Sequence, residues 1–236
     1  MLIRFFDILF SLVALFFLLP LFVPIVLILK FTGEGEIFYR QERVGQFGRH
    51  FDLLKFATML KDSPTIGAGE ITLKNDPRVL PFGRFLRKTK INELPQLFNI
   101  LIGHISVVGP RPMVPNTFLK YSSEAQSELK KVKPGLTGIG SIIFRDEEKF
   151  LEGKSDPRKF YDDHIIPYKN KLEIWYVKNN SITTYFKIIL VTAWVIIFDK
   201  SNIYVRFFSK LPKLPESLSN NYNFNTPSCT VAKHFS

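Results

Sequence analysis

The sequence predicts an α/β fold that is mainly helical and is attached to a membrane from one side, as a monotopic protein. An apolar run without charged residues extends from Ile8 to Leu29, and two prolines lie near its middle. The region that follows interleaves basic and aromatic residues, as helices at a lipid interface do. Glycines punctuate a short stretch near residues 36–56, which predicts a small β element.

The 236 residues are enough for one domain with a buried core. We expect a membrane anchor over residues 1–32 and a single cytoplasmic domain over residues 33–210. Beyond Leu211 the composition is polar with several prolines. Residues 211–236 are therefore expected to form a disordered tail.

The charge balance favours anionic partners. Lys and Arg number 32 against 21 Asp and Glu, a net charge of +11, which suits a membrane surface, a phosphorylated ligand or nucleic acid. The chain has no recognised nucleic-acid motif and its basic residues follow an apolar anchor, so no nucleic-acid partner is expected. The single cysteine, Cys229, allows no intrachain disulfide, and no Cys/His spacing suits a structural zinc site.

The anchor is interrupted by Pro20 and Pro24. As one helix, the run from Ile8 to Leu29 would be about 33 Å long, enough to cross a hydrocarbon core. Each proline removes a backbone donor and clashes with the preceding turn, which kinks or breaks the helix. We therefore predict a re-entrant helix-break-helix that enters one leaflet and turns back, with an ordinary kinked spanning helix as the alternative.

The flanks of the run place the domain on the cytoplasmic side. A cleavable signal peptide is disfavoured, because prolines and Lys30 lie where a small-residue cleavage site would be. By the positive-inside rule, basic residues flanking a membrane segment stay in the cytoplasm. Those near this segment are Arg4, Lys30, Arg40, Arg43, Arg49 and Lys55.

Several elements are predicted after the anchor. A strand at Ile37–Tyr39, a turn at Gly45–Gly48 and an apolar stretch at Phe51–Leu54 form the β element, and a loop covers residues 61–80. Residues 82–90 carry four basic side chains among aromatic ones. This spacing suits a short amphipathic helix on the membrane, or a solvated basic face.

The second half is predicted to be helical. Residues 116–131 have the pattern of one surface helix, and residues 145–180 are expected to include further helices. The second apolar run, Ile182–Phe198, contains Lys187 and is marginal for a span. An interfacial or core-packed helix is expected there.

One arginine is fixed between two prolines. Pro110 and Pro112 restrict the backbone on both sides of Arg111. A guanidinium held in this way suits recognition of a phosphate by its planar fork. Alone, a Pro-Arg-Pro sequence is a weak signal, since it also occurs in extended turns.

Taken in order, several motifs resemble one family. The motifs are Arg4–Asp7 with the broken apolar run, Tyr39–Gly45, Phe51 to Met59, Arg84 with Arg87, Glu93–Leu97, Val108–Pro112 and Lys133–Gly138. Together they resemble the bacterial sugar transferases, the small monotopic polyprenyl-phosphate phosphoglycosyl transferases, from about residue 1 to about residue 200.

The resemblance implies an activity and a location. Such enzymes transfer a sugar phosphate from a UDP-sugar to undecaprenyl phosphate, with Mg²⁺ as cofactor, and release UMP. This step initiates a surface glycan such as O-antigen, capsule or exopolysaccharide, on the cytoplasmic face of the bacterial inner membrane. Expected partners are both substrates, the membrane, downstream glycosyltransferases and a second copy of the chain.

The resemblance also implies site residues. The catalytic positions are Asn92, Glu93, Lys55 and Arg87, and Glu93 is the expected Mg²⁺ ligand. The phosphate- and substrate-binding positions are Arg84, Pro110, Arg111 and Pro112. In the family's ping-pong route, an Asp before the Glu attacks the β-phosphate and forms a phosphosugar-enzyme.

In this chain Asn92 occupies the position of that Asp. An amide has no anionic oxygen with which to form an acyl phosphate. Three alternatives remain: Glu93 is the nucleophile, transfer between the substrates is direct, or the chain is a non-catalytic homologue that binds the lipid carrier or partner glycosyltransferases. Smaller departures are Leu19 where relatives have Ser, Ala57 where an Arg is common and Tyr185 where an Asp is frequent.

Overall fold

A computed structural model describes residues 1–63, 65–66, 76–198, 203–208 and 210–219. In these ranges the protein is mainly helical with two small two-stranded sheets, which confirms the predicted mainly helical α/β class. The helices are α1 Leu2–Phe31, α2 Pro81–Lys88, α3 Gln96–Ile102, α4 Pro115–Leu119, α5 Ser123–Leu129, α6 Ile139–Ile143, α7 Glu147–Leu151, α8 Pro157–Phe160, α9 Ile166–Lys178, α10 Ile182–Ile197, α11 Tyr204–Phe207 and α12 Glu216–Ser219. The strands are β1 Phe38–Val44, β2 His50–Phe56, β3 Ser106–Val108 and β4 Gly135–Thr137.

Helix α1 is long and apolar enough to cross a membrane. Its most apolar window has a mean hydropathy of 3.1. The helix continues through Pro20 and Pro24, so the predicted break does not end it. The structure therefore differs from a helix-break-helix in its backbone, and the re-entrant course stays a prediction.

One face of α1 packs on the domain, and the opposite face is exposed. Phe22, Ile25 and Leu29 are buried in a cluster with residues of β2 and α2. Phe16 and Phe17, on the opposite face, are 75% and 73% exposed. Exposed apolar side chains along one face of a helix indicate contact with lipid or with another apolar surface.

The start of α1 is tied to α3. The Arg4 guanidinium donates to the carbonyls of Ile100 and Leu101, the latter at 2.7 Å. These carbonyls belong to the last turn of α3, where backbone acceptors lack helical partners. A cation at this end also complements the helix dipole. Arg4 therefore caps α3 and fixes the two helices together.

Asp7 is a buried carboxylate that joins α1 to β3 and α10. Its Oδ1 accepts from the Ser106 hydroxyl at 2.8 Å, the Val107 N–H at 2.9 Å and the Tyr185 hydroxyl at 2.9 Å. Because the Tyr185 hydroxyl donates to this side chain from α10, the contact ties α10 to the first turns of α1.

We expect Asp7→Ala to destabilise the protein by about 3 kcal/mol, because three buried donors would lose their acceptor. Asp7→Asn keeps an acceptor oxygen and should cost clearly less. Thermal unfolding in detergent measures both. Equal losses for the two variants would show that these hydrogen bonds are not what Asp7 contributes.

The predicted β element is an antiparallel hairpin. β1 pairs with β2 in a register that joins Phe38 to Phe56 and Val44 to His50. Leu53 and Phe56 face the core, being 2% and 1% exposed. The predicted strand and the turn at Gly45–Gly48 are confirmed. The first strand is longer than predicted, and the apolar stretch Phe51–Leu54 lies within a second strand that pairs with it.

A second, parallel pair was not predicted. β3 pairs with β4, joining Ser106 to Gly135 and Val108 to Thr137. A Cβ on Gly135 would overlap the backbone of Gly109, so the chains can approach this closely only with glycine there. The two turn motifs at residues 108–112 and 133–138 are thereby placed side by side.

Two other regions differ from the sequence predictions. The single helix expected over residues 116–131 is two helices, α4 and α5, because Ser122 caps α5 by accepting the Ala125 N–H. Part of the expected tail packs on the core, where Leu218 is fully buried and the Tyr168 hydroxyl donates to the Pro212 carbonyl at 3.0 Å. Residues 220–236 lie outside the described residues.

Candidate active site

A cleft of about 2130 Å³ lies between the β1–β2 hairpin, α2, α9 and α10. Seven of the eight predicted site residues line it: Lys55, Arg84, Arg87, Asn92, Glu93, Arg111 and Pro112. Pro110 is the exception. Its carbonyl accepts the Gly135 N–H at 2.8 Å and so holds the Pro-Arg-Pro segment against β4.

Asn92 and Glu93 lie in a 3₁₀ turn, Ile91–Glu93, between α2 and α3. Lys90 starts this turn with a φ of 59°, a left-handed conformation that is uncommon for a non-glycine residue. Backbone strain of this kind is often found at functional sites. The turn sets the direction in which Glu93 leaves the backbone.

Glu93 is an ionised carboxylate among cations. Burial alone would raise its pKa, but the charges of Lys55, Arg111, Lys90 and Arg43 together hold the pKa below its ordinary value. The group is therefore negatively charged across the physiological pH range. It can accept hydrogen bonds or bind a cation, and it balances part of the positive charge around it.

Lys55 is a lysine with a depressed pKa. Burial in the cleft is the main cause, and repulsion from Arg43, Arg111 and Arg87 adds to it against the attraction of Glu93. The resulting pKa is about 7. Because of this, the free protein holds Lys55 in both its ammonium and its amine form near neutral pH.

We expect the affinity of the cleft for a diphosphate such as UDP to fall as the pH rises above about 7. Below that value Lys55 carries its proton and its charge, and above it binding must first take up a proton. The loss should approach about tenfold per pH unit. Lys55→Arg, which stays charged, should flatten the dependence. Titration calorimetry between about pH 6 and about pH 9 measures this, and equal slopes for both proteins would contradict it.

Asn92 is buried, with 7% of its surface exposed. Its side-chain oxygen is also buried and has no hydrogen-bond partner. Buried polar atoms are nearly always paired. The Asn92 amide oxygen, beside Glu93, is therefore available to accept a hydrogen bond from a group bound in the cleft.

Arg111 is held from beneath by α9. The Glu173 carboxylate accepts the backbone N–H of Arg111, and the Tyr176 hydroxyl donates to the Val108 carbonyl at 3.1 Å. The Arg111 side chain is exposed within the cleft. Burial of the site would lower its pKa, but Glu93, Glu147, Tyr161 and Glu173 raise it, so the guanidinium is always charged.

Arg43 supports the same segment from the hairpin. Its guanidinium donates to the Pro112 carbonyl at 2.9 Å and to the Gln41 side chain. Arg43 was part of a motif in the sequence but not among the predicted site residues. The alternation of β1, which turns Arg43 toward the cleft lining together with Gln41, is the signal that could have identified it.

A second polar group in the cleft was missed by sequence reasoning. The Lys169 ammonium contacts the Glu147 carboxylate and donates to the Tyr161 hydroxyl at 3.1 Å. Burial alone would lower the pKa of Lys169, but Glu147 and Tyr161 raise it above its ordinary value. Lys169 and Glu173 are four residues apart on α9 and share its buried face. Two charges on one buried helical face were the available signal.

Glu173 is the most buried carboxylate of this group, with 2% of its surface exposed. Burial raises its pKa to about 7. A Cβ at position 140 would overlap the Glu173 side chain. Gly140 is therefore needed for α6 to pack closely over the carboxylate that holds Arg111.

The donors of the cleft fit one kind of metal site. Among the described residues, no group of three or more His, Cys, Asp or Glu could hold a metal ion by itself. Mg²⁺ is commonly bound by one or two carboxylates together with substrate phosphates. The ionised Glu93 could supply the carboxylate, and the surrounding cations would bind the phosphates of a substrate.

The family follows from this geometry together with a comparison of sequences. The family model for bacterial sugar transferases matches residues 1–199, and the chain belongs to that family. The matched region includes α1, the hairpin, the cleft and α10.

Three relatives show what the chain is similar to. It is 37% identical over 177 residues to the exopolysaccharide production protein ExoY of Sinorhizobium fredii, covering 69% of this chain and 76% of that protein. It is 34% identical over 209 residues to the undecaprenyl-phosphate galactose phosphotransferase of Salmonella typhimurium (82% and 40%). It is 36% identical over 201 residues to the UDP-glucose:undecaprenyl-phosphate glucose-1-phosphate transferase of Klebsiella pneumoniae (83% and 40%). The chain thus spans most of ExoY but two fifths of the other two proteins.

Proposed function

We propose that this protein transfers a sugar phosphate from a UDP-sugar to undecaprenyl phosphate and releases UMP, as the initiating step of surface polysaccharide or glycoconjugate synthesis. The observation that carries the proposal is the ionised Glu93 surrounded by Lys55, Arg111 and Arg43 in one cleft beside an apolar helix. The names of the relatives supply the two substrates.

The chemistry suits this cleft because phosphoryl transfer depends on positioning and on stabilising dispersed negative charge. Arg111, whose backbone is fixed by prolines and by Glu173, binds phosphate oxygens through its fork. Lys55 and Arg87 add charge around the diphosphate, and the exposed Arg84 reaches the lipid phosphate. Glu93 would hold Mg²⁺, which supplies further neutralisation of the phosphate charge when bound.

Asn92 leaves two chemical routes for an active protein. In direct transfer, an oxygen of the lipid phosphate attacks the β-phosphorus, and the bond from that phosphorus to the UMP oxygen breaks. In the alternative, the Glu93 carboxylate forms an acyl phosphate as UMP leaves, and the lipid phosphate then displaces Glu93. The same products result from both routes.

We also infer that α1 is re-entrant, on the cytoplasmic face of the inner membrane. Its first turns are tied to the domain through Arg4 and Asp7, and its last turns through Ile25 and Leu29. A spanning helix would carry one end across the bilayer and away from the domain. A helix attached along one face, through Leu15 and Leu18 as well as at both ends, can instead enter one leaflet only with its opposite face, which carries Phe16 and Phe17.

The direct test is a UMP-release assay on purified protein with undecaprenyl phosphate, Mg²⁺ and a panel of UDP-sugars. Release that needs both substrates and Mg²⁺ is the expected result, and the preferred donor identifies the sugar. Absence of UMP with every common UDP-sugar would overturn the proposed activity.

A second candidate function is that of a non-catalytic homologue, which Asn92 motivates. In that case Asn92→Asp should create activity where none existed. We expect the natural protein to release UMP already, and Asn92→Asp to add a covalent phosphosugar adduct detectable by intact-protein mass spectrometry, because an Asp supplies the missing anionic oxygen. Turnover by the Asn form excludes the non-catalytic function.

Pull-down experiments test the proposed downstream glycosyltransferase partners, and light scattering tests the proposed homo-oligomer.

A further inference from the structure

We propose that the cleft-facing side of α10 binds the isoprenoid chain of the lipid phosphate, next to the cations that bind its phosphate. This inference rests on the proposed function. It assigns a role to Ile189, Ala193 and Ile196, here called the α10 wall, for which the sequence predicted only an interfacial or core-packed helix.

The α10 wall lines the same cleft as Lys55, Glu93 and Arg111. Ile196 is 66% exposed there, and Ile189 is partly buried against the core. Thr192, which lies within the wall, has its hydroxyl paired with the Thr137 hydroxyl at 2.8 Å. The wall therefore offers apolar surface to a ligand.

Other apolar residues line the cleft as well: Leu94, Leu97, Val107 and Leu136. Leu97 belongs to a buried cluster on which Val107 and Leu136 pack, and β3 and β4 contact α10. We infer that this apolar part of the cleft, together with the α10 wall, is the channel for the isoprenoid chain. A hydrocarbon chain fits such a channel, whereas the polar parts of a nucleotide sugar would gain nothing from it.

Apolar contacts connect the channel to α1. Ala14, Leu15 and Leu18 pack on the same cluster as Val107 and Leu136. The Phe186 ring of α10 contacts the Phe6 ring of α1, with centroids 4.9 Å apart. At the other end of α10, the Arg145 guanidinium contacts the Val195 carbonyl and supplies a cation to the cleft.

Adjacent residues of α10 give a matched test. Ile196 and Ile197 are 66% and 72% exposed, and only Ile196 lines the cleft. We expect Ile196→Asn to raise the KM for undecaprenyl phosphate about tenfold, the loss of roughly one buried side chain, with the KM for the UDP-sugar unchanged. Ile197→Asn should change either value less than about twofold. Ala193→Phe, which narrows the channel, should act like Ile196→Asn.

Vesicle flotation shows whether the two Asn variants bind membranes equally. With equal membrane binding, equal KM values for the lipid in Ile196→Asn and Ile197→Asn would overturn the proposal. A shift in the KM for the UDP-sugar in Ile196→Asn would do the same, because it would show a general disturbance of the cleft.

A binding test separates this proposal from the activity. An undecaprenyl phosphate analogue with a photoreactive chain should label α10, and undecaprenyl phosphate should compete while phosphatidylglycerol should not. Equal competition by both lipids would show a general membrane surface and overturn the proposal, as would labelling elsewhere in a protein that releases UMP. Labelling of α10 without UMP release would support the channel and refute the proposed activity.

Discussion

Glu93→Gln is expected to lower UMP release at least about a thousandfold, because the substitution keeps the size of the side chain and removes its only negative charge. The negative charge of Glu93 balances part of the positive charge of the surrounding cations, chiefly Lys55 and Arg111. Without the carboxylate, these cations would bind the substrate and product phosphates too tightly, and Mg²⁺ would lose its proposed protein ligand.

The measurement is UMP release at saturating substrates. Glu36→Gln is the matched control, because Glu36 lines the same cleft but is exposed and pairs with Lys61 at 3.5 Å. It should keep nearly full activity. Release by Glu93→Gln within about tenfold of the natural protein would show that the cleft works without this carboxylate.

Arg111→Ala is expected to cost about a hundredfold to a thousandfold in kcat/KM, and Arg111→Lys about tenfold or more. The backbone that carries this guanidinium is fixed from three sides, by the flanking prolines, by β4 and by Glu173. A lysine would restore the charge without the planar fork.

Kinetics with each substrate varied separately measure the loss. The control is Arg158→Ala, which removes another exposed arginine lining the same cleft. Full activity of Arg111→Lys would show that charge alone is needed, so the fork would have no role. A fall of the same size in Arg158→Ala would indicate a general effect of net charge on binding.

Positions with strong local signals were predictable from the sequence. The glycine turn of the hairpin lies where the sequence predicted it. Arg111 and Pro112 of the Pro-Arg-Pro segment line the cleft. The β3–β4 pair and the support of Arg111 by Glu173 were not predictable. Three-residue strands have too few residues for a periodic pattern, and Glu173 reaches Arg111 only through the tertiary packing of α9.

In α1, by contrast, tertiary packing overrides a local signal, because the helix continues through the two prolines that predicted its interruption. Pro20 and Pro24 each remove one hydrogen bond, and the sequence alone predicts an interruption. The buried contacts of Phe22, Ile25 and Leu29 continue beyond both prolines. Because these contacts stabilise the helical conformation, the backbone continues without an end at either proline.

The packing of α1 on the domain also affects how this protein folds. Deletion of α1 is not expected to give a stable, water-soluble domain. Phe56 and Leu86 would lose the α1 side chains that cover them, and the Ser106 hydroxyl would lose Asp7 as its hydrogen-bond acceptor. The ribosome makes this segment before β2, α2 and β3, on which it packs, so the segment must wait for these partners. We therefore expect the domain to complete its folding only after α1 has packed on it, with lipid covering the exposed face of α1 in the membrane-bound protein.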